Sequence, residues 1–221
     1  MRMRRKKNLE KRLEDCGSKI IYMNRENRNF EVKDTEEIID FEKLFGNNNP
    51  VHMEIGCGKG RFAREIAKLN PDINFIAVEK SSNVIVEAAE KAIEENIPNL
   101  YFLRGGAEYL ECYIPEHSIS RIYLNFSCPF QKKSYAGHRL THRKFLAIYD
   151  KLLIEHGEIH QKTDNQQLFE FSIEEFSQSG YKLKNVTFDL HNSGFEGNIQ
   201  TEYETRFAEQ GLPIYRLEAY K

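Results

Sequence analysis

Short β-rich segments alternate with helical segments from residue 50 onward, and this alternation limits the fold of the chain more than any other feature. Such alternation is typical of an α/β domain with a mostly parallel sheet and helices on both faces. Seven strands are predicted, at 51–55, 74–79, 100–103, 121–126, 158–162, 181–190 and 212–220. Helices are predicted at 61–69, 81–96, 107–113, 141–155, 166–179 and 201–210.

Apolar spacing and helix-breaking residues give these helices predicted faces and ends. The helix after Gly60 is expected to bury Phe62, Ile66 and Leu69, and Asn70-Pro71 ends it. Gly157 is expected to end the 141–155 helix, and Gly180 is expected to end the 166–179 helix. The helix at 81–96 is expected to bury an apolar stripe made of Val84, Ile85, Ala88, Ala92 and Ile93.

The first 49 residues do not follow the alternation. They begin with a cationic run and end in the turn-like segment 46–50, which contains Gly46 and Pro50. We interpret 1–49 as a basic N-terminal arm with a short helix, and 50–221 as the folded domain. The longest apolar runs are far too short to span a membrane, so the protein is expected to be cytoplasmic.

A glycine-rich turn follows the first predicted strand, where Gly56, Gly58 and Gly60 form a G-x-G-x-G pattern. Glycines at a strand-to-helix turn let a ligand approach the backbone closely. Arg61 stands where a dinucleotide fingerprint has its third glycine, so NAD and FAD are disfavoured. Glu79 ends the second strand, where a carboxylate can accept both ribose hydroxyl hydrogens. The pattern indicates S-adenosylmethionine; the alternative is a tight turn beside a solvated charge.

Cysteine and charge content narrow the remaining possibilities. The four cysteines are scattered without a CxxC pair, which favours independent reduced thiols and no metal site. Because the net charge is −2, nucleic-acid binding needs local basic patches. One candidate patch is the arm, with Arg2, Arg4, Arg5, Lys6, Lys7, Lys11 and Arg12. The other follows the fourth strand, with Lys132, Lys133, His138, Arg139, His142, Arg143 and Lys144.

Several longer motifs resemble those of the bacterial tRNA guanine-N7 methyltransferase family. They are MRMRRKK, NPVHMEIGCGKG, PDINFIAVE, IYLNFSCPFQKK, GEIHQKTDN, DLHNSGFEGNIQTEYE and GLPIYR. The resemblance implies a Rossmann-like, seven-stranded class I methyltransferase fold. It also implies methyl transfer from S-adenosylmethionine to N7 of a guanine in the tRNA variable loop. Nothing in the sequence distinguishes a monomer from a homodimer.

The resemblance also assigns roles to individual residues. It implies cofactor contacts at Glu54 and Glu79, beside the glycine turn. Guanine and RNA contacts fall on Lys132, Asp164, Thr201, Glu202, Tyr203 and Glu204. Two aspartates of the family are replaced here. Gly106 stands at a position that the family uses to bind the cofactor, and Cys128 stands at a position that serves both cofactor binding and catalysis.

The chemistry of guanine defines what these residues must do. N7 carries a lone pair and can attack the methyl group without a general base. The N1–H and N2–H donors need acceptors, for which Asp164 and Glu204 are candidates, while Lys132 faces O6 or a phosphate. Asp164 can instead cap the helix that follows it. Cys128 and Asp164 are the candidate catalytic residues. Because Cys128 is neutral, two alternatives stay open: a tRNA-binding protein with little or no catalysis, or a methyltransferase for another substrate.

Overall fold

The computed structural model describes residues 5–23 and 38–221, which fall into two compact units, Met1–Pro115 and Glu116–Lys221. The described part of the first unit contains α1 (Leu9–Asp15), β1 (Ile20–Tyr22), α2 (Phe41–Phe45), β2 (Val51–Ile55), α3 (Arg61–Leu69), β3 (Asn74–Glu79), α4 (Ser82–Glu94), β4 (Leu100–Arg104) and a 3₁₀ helix (Ala107–Cys112). The second contains β5 (Ile119–Asn125), a 3₁₀ helix (Lys133–His138), α5 (Arg143–Leu152), β6 (Leu153–Thr163), α6 (Gln166–Gln178), β7 (Lys182–Thr187), α7 (Glu202–Glu209) and β8 (Tyr215–Tyr220).

In the first unit the strands are all parallel, in the order β1, β4, β3, β2. Every residue of β2 is buried, as expected for a strand covered on both faces. The register pairs Ile55 with Val78 and Glu79 with Arg104, so the carboxyl ends of β2, β3 and β4 lie side by side. This edge of the sheet carries the glycine turn and the end of β4.

In the second unit the strand order is β5, β6, β8, β7. Strands β5 and β6 are parallel, whereas β8 runs antiparallel to both of its neighbours. The seven predicted strands are all present, and within the described residues β1 is an additional strand in the segment that was predicted to be an arm with a short helix. The buried residue Ile20 lies opposite Phe102 of β4, which explains why this short segment is ordered against the sheet.

Three predicted details are wrong. Helix α5 ends at Leu152, and Gly157 lies inside β6 at a bulge, beside His156 with φ 62°. Leu69 and Ile93 are 68% and 41% exposed. Leu69 is the last residue of α3, and Ile93 lies about 100° around the helix from buried Ala92, so neither faces the sheet. The strands predicted at 181–190 and 212–220 occur as the shorter β7 and β8.

The N-terminal segment is built into the first unit. Arg12 donates from Nε and Nη2 to the two carboxylate oxygens of Glu90 on α4, each over 2.6 Å. Lys6 forms an ion pair with Glu87, and its backbone N–H donates to Asn83 over 3.0 Å. Arg2 and Arg4 lie outside the described residues. Because Lys6 and Arg12 are paired with carboxylates of α4, these two residues do not belong to a flexible arm, and phosphate binding by the N-terminal segment stays a prediction.

Candidate functional site

The glycine turn has the backbone geometry that its sequence predicts. Gly56, Gly58 and Gly60 adopt φ of 83°, 57° and 73°, in the left-handed region where side chains are disfavoured. The N–H groups of Gly56 and Cys57 both donate to the Val78 carbonyl of β3, over 2.8 and 3.0 Å. A Cβ at Gly56 or Gly58 would meet nothing within 4 Å, so this backbone is open to a ligand.

Gly60 serves packing instead of ligand access. A Cβ added there would lie 2.8 Å from the Cβ of Ala88 and 3.3 Å from the Phe102 ring. The glycine therefore lets the start of α3 approach α4 and β4 closely. The three glycines of the turn divide into two that open its surface and one that holds it against the core.

Glu79 is oriented toward the turn by backbone donors. Its Oε2 accepts from the Gly58 N–H over 3.3 Å, and its Oε1 accepts from the Ser81 N–H over 2.8 Å. Each oxygen keeps further acceptor capacity, which a pair of ribose hydroxyls can use. Glu54, at the predicted entry to the turn, is buried in β2. The open glycines and the fixed carboxylate fit a nucleoside ligand without a pyrophosphate.

Gly106 lies just after β4, on the same edge of the sheet. The Gly105 N–H donates to the Glu79 carbonyl over 3.2 Å, which ties this segment to the end of β3. A Cβ at Gly106 would lie only 2.6 Å from Cδ of Glu108. The Glu108 carboxylate therefore occupies the space that a side chain at position 106 would take.

In the second unit, the segment 126–132 leaves β5 through an unusual backbone. Phe126 and Phe130 have positive φ values, 50° and 39°. Arg139 donates from Nε to the Pro129 carbonyl over 2.9 Å and from Nη2 to the Phe130 carbonyl over 3.1 Å. Its guanidinium also lies 4.4 Å from the centre of the Phe171 ring. Arg139 thus fixes the segment that presents the exposed Cys128.

The basic cluster after β5 separates into structural and exposed cations. Arg139 is buried, and Arg143 binds both carboxylate oxygens of Glu175. Arg139 therefore holds the fold and does not belong to the open phosphate surface that was predicted, whereas Arg143 pairs with Glu175 but keeps a side chain that is 56% exposed. His142 caps α5, its Nδ1 accepting from the Lys144 N–H over 3.2 Å. The exposed lysines of the cluster are Lys132, Lys133 and Lys144.

Asp164 follows β6 directly and is half-buried. The helix after it is capped by Asn165, whose Oδ1 accepts from the Leu168 N–H over 2.8 Å. The capping alternative for Asp164 is therefore wrong.

Lys162, two residues before Asp164, holds the loop that precedes α7. Its ammonium donates to Asn198 Oδ1, the Ile199 carbonyl and Glu204 Oε2 over 3.0, 2.8 and 2.7 Å. Glu204 is fully buried, and its Oε1 accepts from Asn198 over 2.5 Å. Thr201 caps α7 by accepting from the Glu204 N–H over 3.0 Å. Both oxygens of Glu204 are thus engaged within the unit, whereas Tyr203 is 57% exposed.

One group among the described residues has the spacing of metal ligands: Glu158, His160 and Glu218, with ligand atoms within 4.8 Å of one another. These side chains form an ion network with Arg121, Lys184 and Arg216. Burial of Glu158 would raise its pKa, but hydrogen bonds from Lys184 and His160 outweigh it and lower the pKa to about 2. Burial, with the charge of Arg121, lowers the pKa of His160 to about 4. The cations that compensate these carboxylates supply the positive charge that a metal would bring.

Comparisons with known proteins identify the family. A family model with the description "Putative methyltransferase" matches residues 48–217. A tRNA (guanine-N(7)-)-methyltransferase of Bacillus cytotoxicus is 49% identical over 81% of this chain and 83% of its own length. One from a Geobacillus species is 52% identical over 80% of this chain and 81% of its own length. The chain belongs to this family of methyltransferases. The predicted family and enzyme class are confirmed.

Solved structures confirm the fold of this methyltransferase. The 16S rRNA methyltransferase KamB matches with a TM-score of 0.64 at 16% identity, over 84% of this chain and 94% of that one. A precorrin-6y C5,15-methyltransferase from Geobacter metallireducens matches with a TM-score of 0.56 at 14% identity, over 85% and 93%. The class I fold and S-adenosylmethionine as the methyl donor are thus confirmed. No helix among the described residues is long and apolar enough to cross a membrane.

Three residues of this methyltransferase have functions that sequence reasoning missed. Lys162 lies in the motif GEIHQKTDN, but the motif does not predict its contacts with residues 36 to 42 positions later in the chain. Arg139 was assigned to RNA by its charge alone. Glu108 lies beside Gly106, and the carboxylate two residues after that glycine is a signal visible in the sequence.

Proposed function

We propose that this methyltransferase transfers the methyl group of S-adenosylmethionine to N7 of a guanine in the tRNA variable loop, in the cytoplasm. The observation that carries the proposal is the Glu79 carboxylate, held by the Gly58 and Ser81 N–H groups beside an open glycine backbone. The substrate is supported by relatives about half identical to the chain, which are named for that reaction. The bound cofactor supplies an electrophilic methyl group on a sulfonium centre.

The residues proposed to hold the cofactor are Glu54, Gly56, Gly58, Gly60, Glu79 and Gly106. Glu79 accepts from the ribose hydroxyls, and the open faces of Gly56 and Gly58 admit the ligand to the backbone. Gly60 acts indirectly, by holding α3 against α4. Cys128 completes the set proposed from sequence and lies in the second unit, on the segment that Arg139 fixes.

The residues proposed to recognise guanine lie in the second unit. Asp164 accepts from N1–H and N2–H, since its carboxylate is not used to cap α6. Lys132 is exposed and meets O6 or a phosphate. Tyr203 offers an exposed ring for stacking. Thr201 and Glu204 act indirectly, because their side chains hold the loop before α7. Glu202 is included because the sequence motif predicts it.

Catalysis under this proposal is mainly positioning. Guanine N7 needs no deprotonation before it attacks, so no residue is assigned as a general base. Holding the reacting atoms in line can supply roughly 7–11 kcal/mol in favourable cases. Asp164 adds a negative charge that stabilises the cationic purine formed by methylation. Neutral Cys128 adds none.

The test is to incubate the purified protein with labelled S-adenosylmethionine and unmodified tRNA transcripts, and to map 7-methylguanine by chemical cleavage. Labelling at one variable-loop guanine is expected, and a transcript with adenine at that position should take up no label. Transfer to another base or molecule would overturn the proposed substrate.

A second candidate function is tRNA binding with weak catalysis, and the exposed, neutral Cys128 is the observation that favours it. Binding of both tRNA and cofactor without methyl transfer would establish it. The variant Cys128→Asp separates the two functions, because it should raise the turnover of a weakened enzyme. Unchanged turnover would show that Cys128 does not limit catalysis. Light scattering of the protein with tRNA distinguishes a monomer from a homodimer in both cases.

A further inference from the structure

The Phe195 ring lies against a buried cation, in the loop between β7 and α7. Its centre is 3.9 Å from the guanidinium carbon of Arg216, which is only 5% exposed. That guanidinium is itself held, since it donates to the Asn185 carbonyl over 3.4 Å and pairs with the Glu218 carboxylate. Phe195 is 40% exposed. The ring is therefore supported by the protein on one side and open to solvent elsewhere.

The backbone around Phe195 is fixed and leaves space beside the ring. The Phe195 N–H donates to Ser193 Oγ over 3.2 Å, and that hydroxyl donates to the Leu190 carbonyl over 2.7 Å. Gly194 and Gly197, on either side of Phe195 in the sequence, have φ of 72° and 79°. A Cβ at either glycine would meet no atom of the described residues within 4 Å. The two glycines therefore leave room for a flat ligand.

The strand register places this ring near the proposed guanine site. Arg216 of β8 pairs with Lys162 of β6, and residues opposite each other in an antiparallel pair have their side chains on the same face. Lys162 also holds the loop after Phe195, by donating to Asn198 Oδ1 over 3.0 Å. Asp164 follows two residues later, about 7 Å along the chain. Phe195 thus lies beside the end of β6 that carries the proposed guanine acceptor.

The chemistry of tRNA supplies a ligand for an aromatic ring at this place. An enzyme that modifies a base takes that base out of its stack. The next base then loses a stacking partner, which an aromatic side chain can replace whatever the identity of that base. Asp164 and Tyr203 are proposed to meet the methylated guanine itself. Phe195 is therefore available to the nucleotide beside it.

We propose that the base next to the methylated guanine in the tRNA chain stacks on the exposed side of the Phe195 ring. Arg216 supports the ring from behind, and the stacked base is held without hydrogen bonds that read its identity. The inference rests on the proposed tRNA substrate and extends the recognition surface beyond the modified base. Phe195 is thus a substrate-binding residue and takes no part in methyl transfer itself.

The test measures the affinity of the full chain for unmodified tRNA transcripts by filter binding. Phe195→Ala should weaken binding about tenfold, the typical weight of one stacked base. Phe195→Leu should lose nearly as much, because leucine is apolar but has no flat face, whereas Phe195→Tyr should bind as the unaltered protein does. All three variants should keep their affinity for S-adenosylhomocysteine, which checks that they are folded.

Phe188→Ala is the matched control. Phe188 is 61% exposed, more than Phe195, and its ring packs edge-on against Tyr215. Because Tyr215 and Arg216 are consecutive in β8, their side chains point to opposite faces of the sheet. Loss of the Phe188 ring should therefore leave tRNA affinity unchanged. Equal losses in Phe188→Ala and Phe195→Ala would assign the effect to apolar surface in general and overturn the inference.

Abasic transcripts locate the stacked base, with the base removed from either the 5′ or the 3′ neighbour of the target guanine. One of the two should bind the unaltered protein about tenfold more weakly. The same transcript should cost Phe195→Ala nothing further, since the ring and the base act as a pair. If the losses add at both neighbours, or if the ring couples to the target guanine instead, the inference is wrong while the proposed substrate stands. If the unaltered protein neither binds nor methylates the intact transcript, the proposed function itself fails.

Discussion

The Nε–H of Arg139 donates a hydrogen bond to the carbonyl oxygen of Pro129 over 2.9 Å. A basic residue of the cluster after β5 thereby holds the backbone of the segment that carries Cys128. Lys133, only six residues earlier in the chain, has the same charge and is exposed. Replacing either residue with a neutral one removes one positive charge, so comparing the two variants separates a structural role from an electrostatic one.

The first prediction compares Arg139→Gln with Lys133→Gln. Arg139→Gln should lower kcat by about 10- to 100-fold, because a misplaced segment disturbs the alignment of reacting atoms. Lys133→Gln should leave kcat unchanged and reduce the slope of log K against log salt by about 0.7 to 0.9, one phosphate contact. Turnover and filter binding at several salt concentrations measure both. A changed slope in Arg139→Gln would assign that residue to phosphate binding after all.

The second prediction concerns the buried ion pair of Lys162 and Glu204. Removing one partner leaves a buried charge uncompensated, so Lys162→Met should lose about 3–5 kcal/mol of unfolding free energy. The double variant Lys162→Met with Glu204→Leu should lose clearly less than the sum of the single changes. Urea unfolding gives the stabilities. In folded Lys162→Gln, the KM for tRNA should rise while cofactor affinity is kept, and additive losses would show that the pair is not coupled.

The third prediction concerns the glycine turn. Gly60→Ala should destabilise the protein by about 2–4 kcal/mol, since strain at positive φ adds to overpacking against Ala88. Gly46→Ala is the control, because Gly46 has φ 70° but open space around its Cβ position. It should cost about 1–2 kcal/mol, the strain alone. Thermal unfolding distinguishes them, and equal losses would mean that the close contact with α4 carries no energy.

The fourth prediction concerns His160, which lies beside Tyr123 and Arg121 of β5, Glu158 of β6 and Glu218 of β8. Its pKa of about 4 in the folded protein lies below the usual value near 6.5, so the unfolded chain binds the proton more readily. Stability should therefore fall as the pH drops from 6.5 toward 4. The Glu158 pKa of about 2 adds a loss that begins only below pH 4 to 5.

His160→Gln should flatten the decline in melting temperature between pH 7 and pH 5, since glutamine keeps a donor for Glu158 but does not titrate. His138→Gln, at an exposed position, should leave the decline as it is. An unchanged pH profile in His160→Gln would assign the acid sensitivity to other groups.

Local signals in the sequence were sufficient for strands β2 and β3 and for the glycine turn. Val51 to Ile55 and Asn74 to Glu79 begin and end where predicted, because buried parallel strands are continuous apolar runs bounded by turn residues. The positive φ values of Gly56, Gly58 and Gly60 follow from the same logic. Strand β1 escaped prediction because three residues carry no periodicity, and its order depends on pairing with β4.

The positive charge of a side chain was a poor predictor of its role. Arg139, Arg143, Lys6 and Arg12 looked like phosphate ligands, yet each is bound by groups of its own unit. A linear sequence gives the sign of a side chain but not its partner, since the partners lie up to 81 residues away. Glu204 illustrates the same limit for carboxylates: its burial depends on Lys162, 42 residues earlier.

The short strand β1 protects the sheet of the first unit. It covers the outer side of β4, where the Met23 N–H donates to the Arg104 carbonyl and the Phe102 N–H to the Lys19 carbonyl. A fragment cut to 48–217, the part that matches the family, would leave that side of β4 with unpaired N–H and C=O groups. An exposed edge of this kind can pair with strands of other molecules, so the extent of aggregation of the fragment should increase with its concentration. Residues outside the range of the family model thus protect the molecule from self-association.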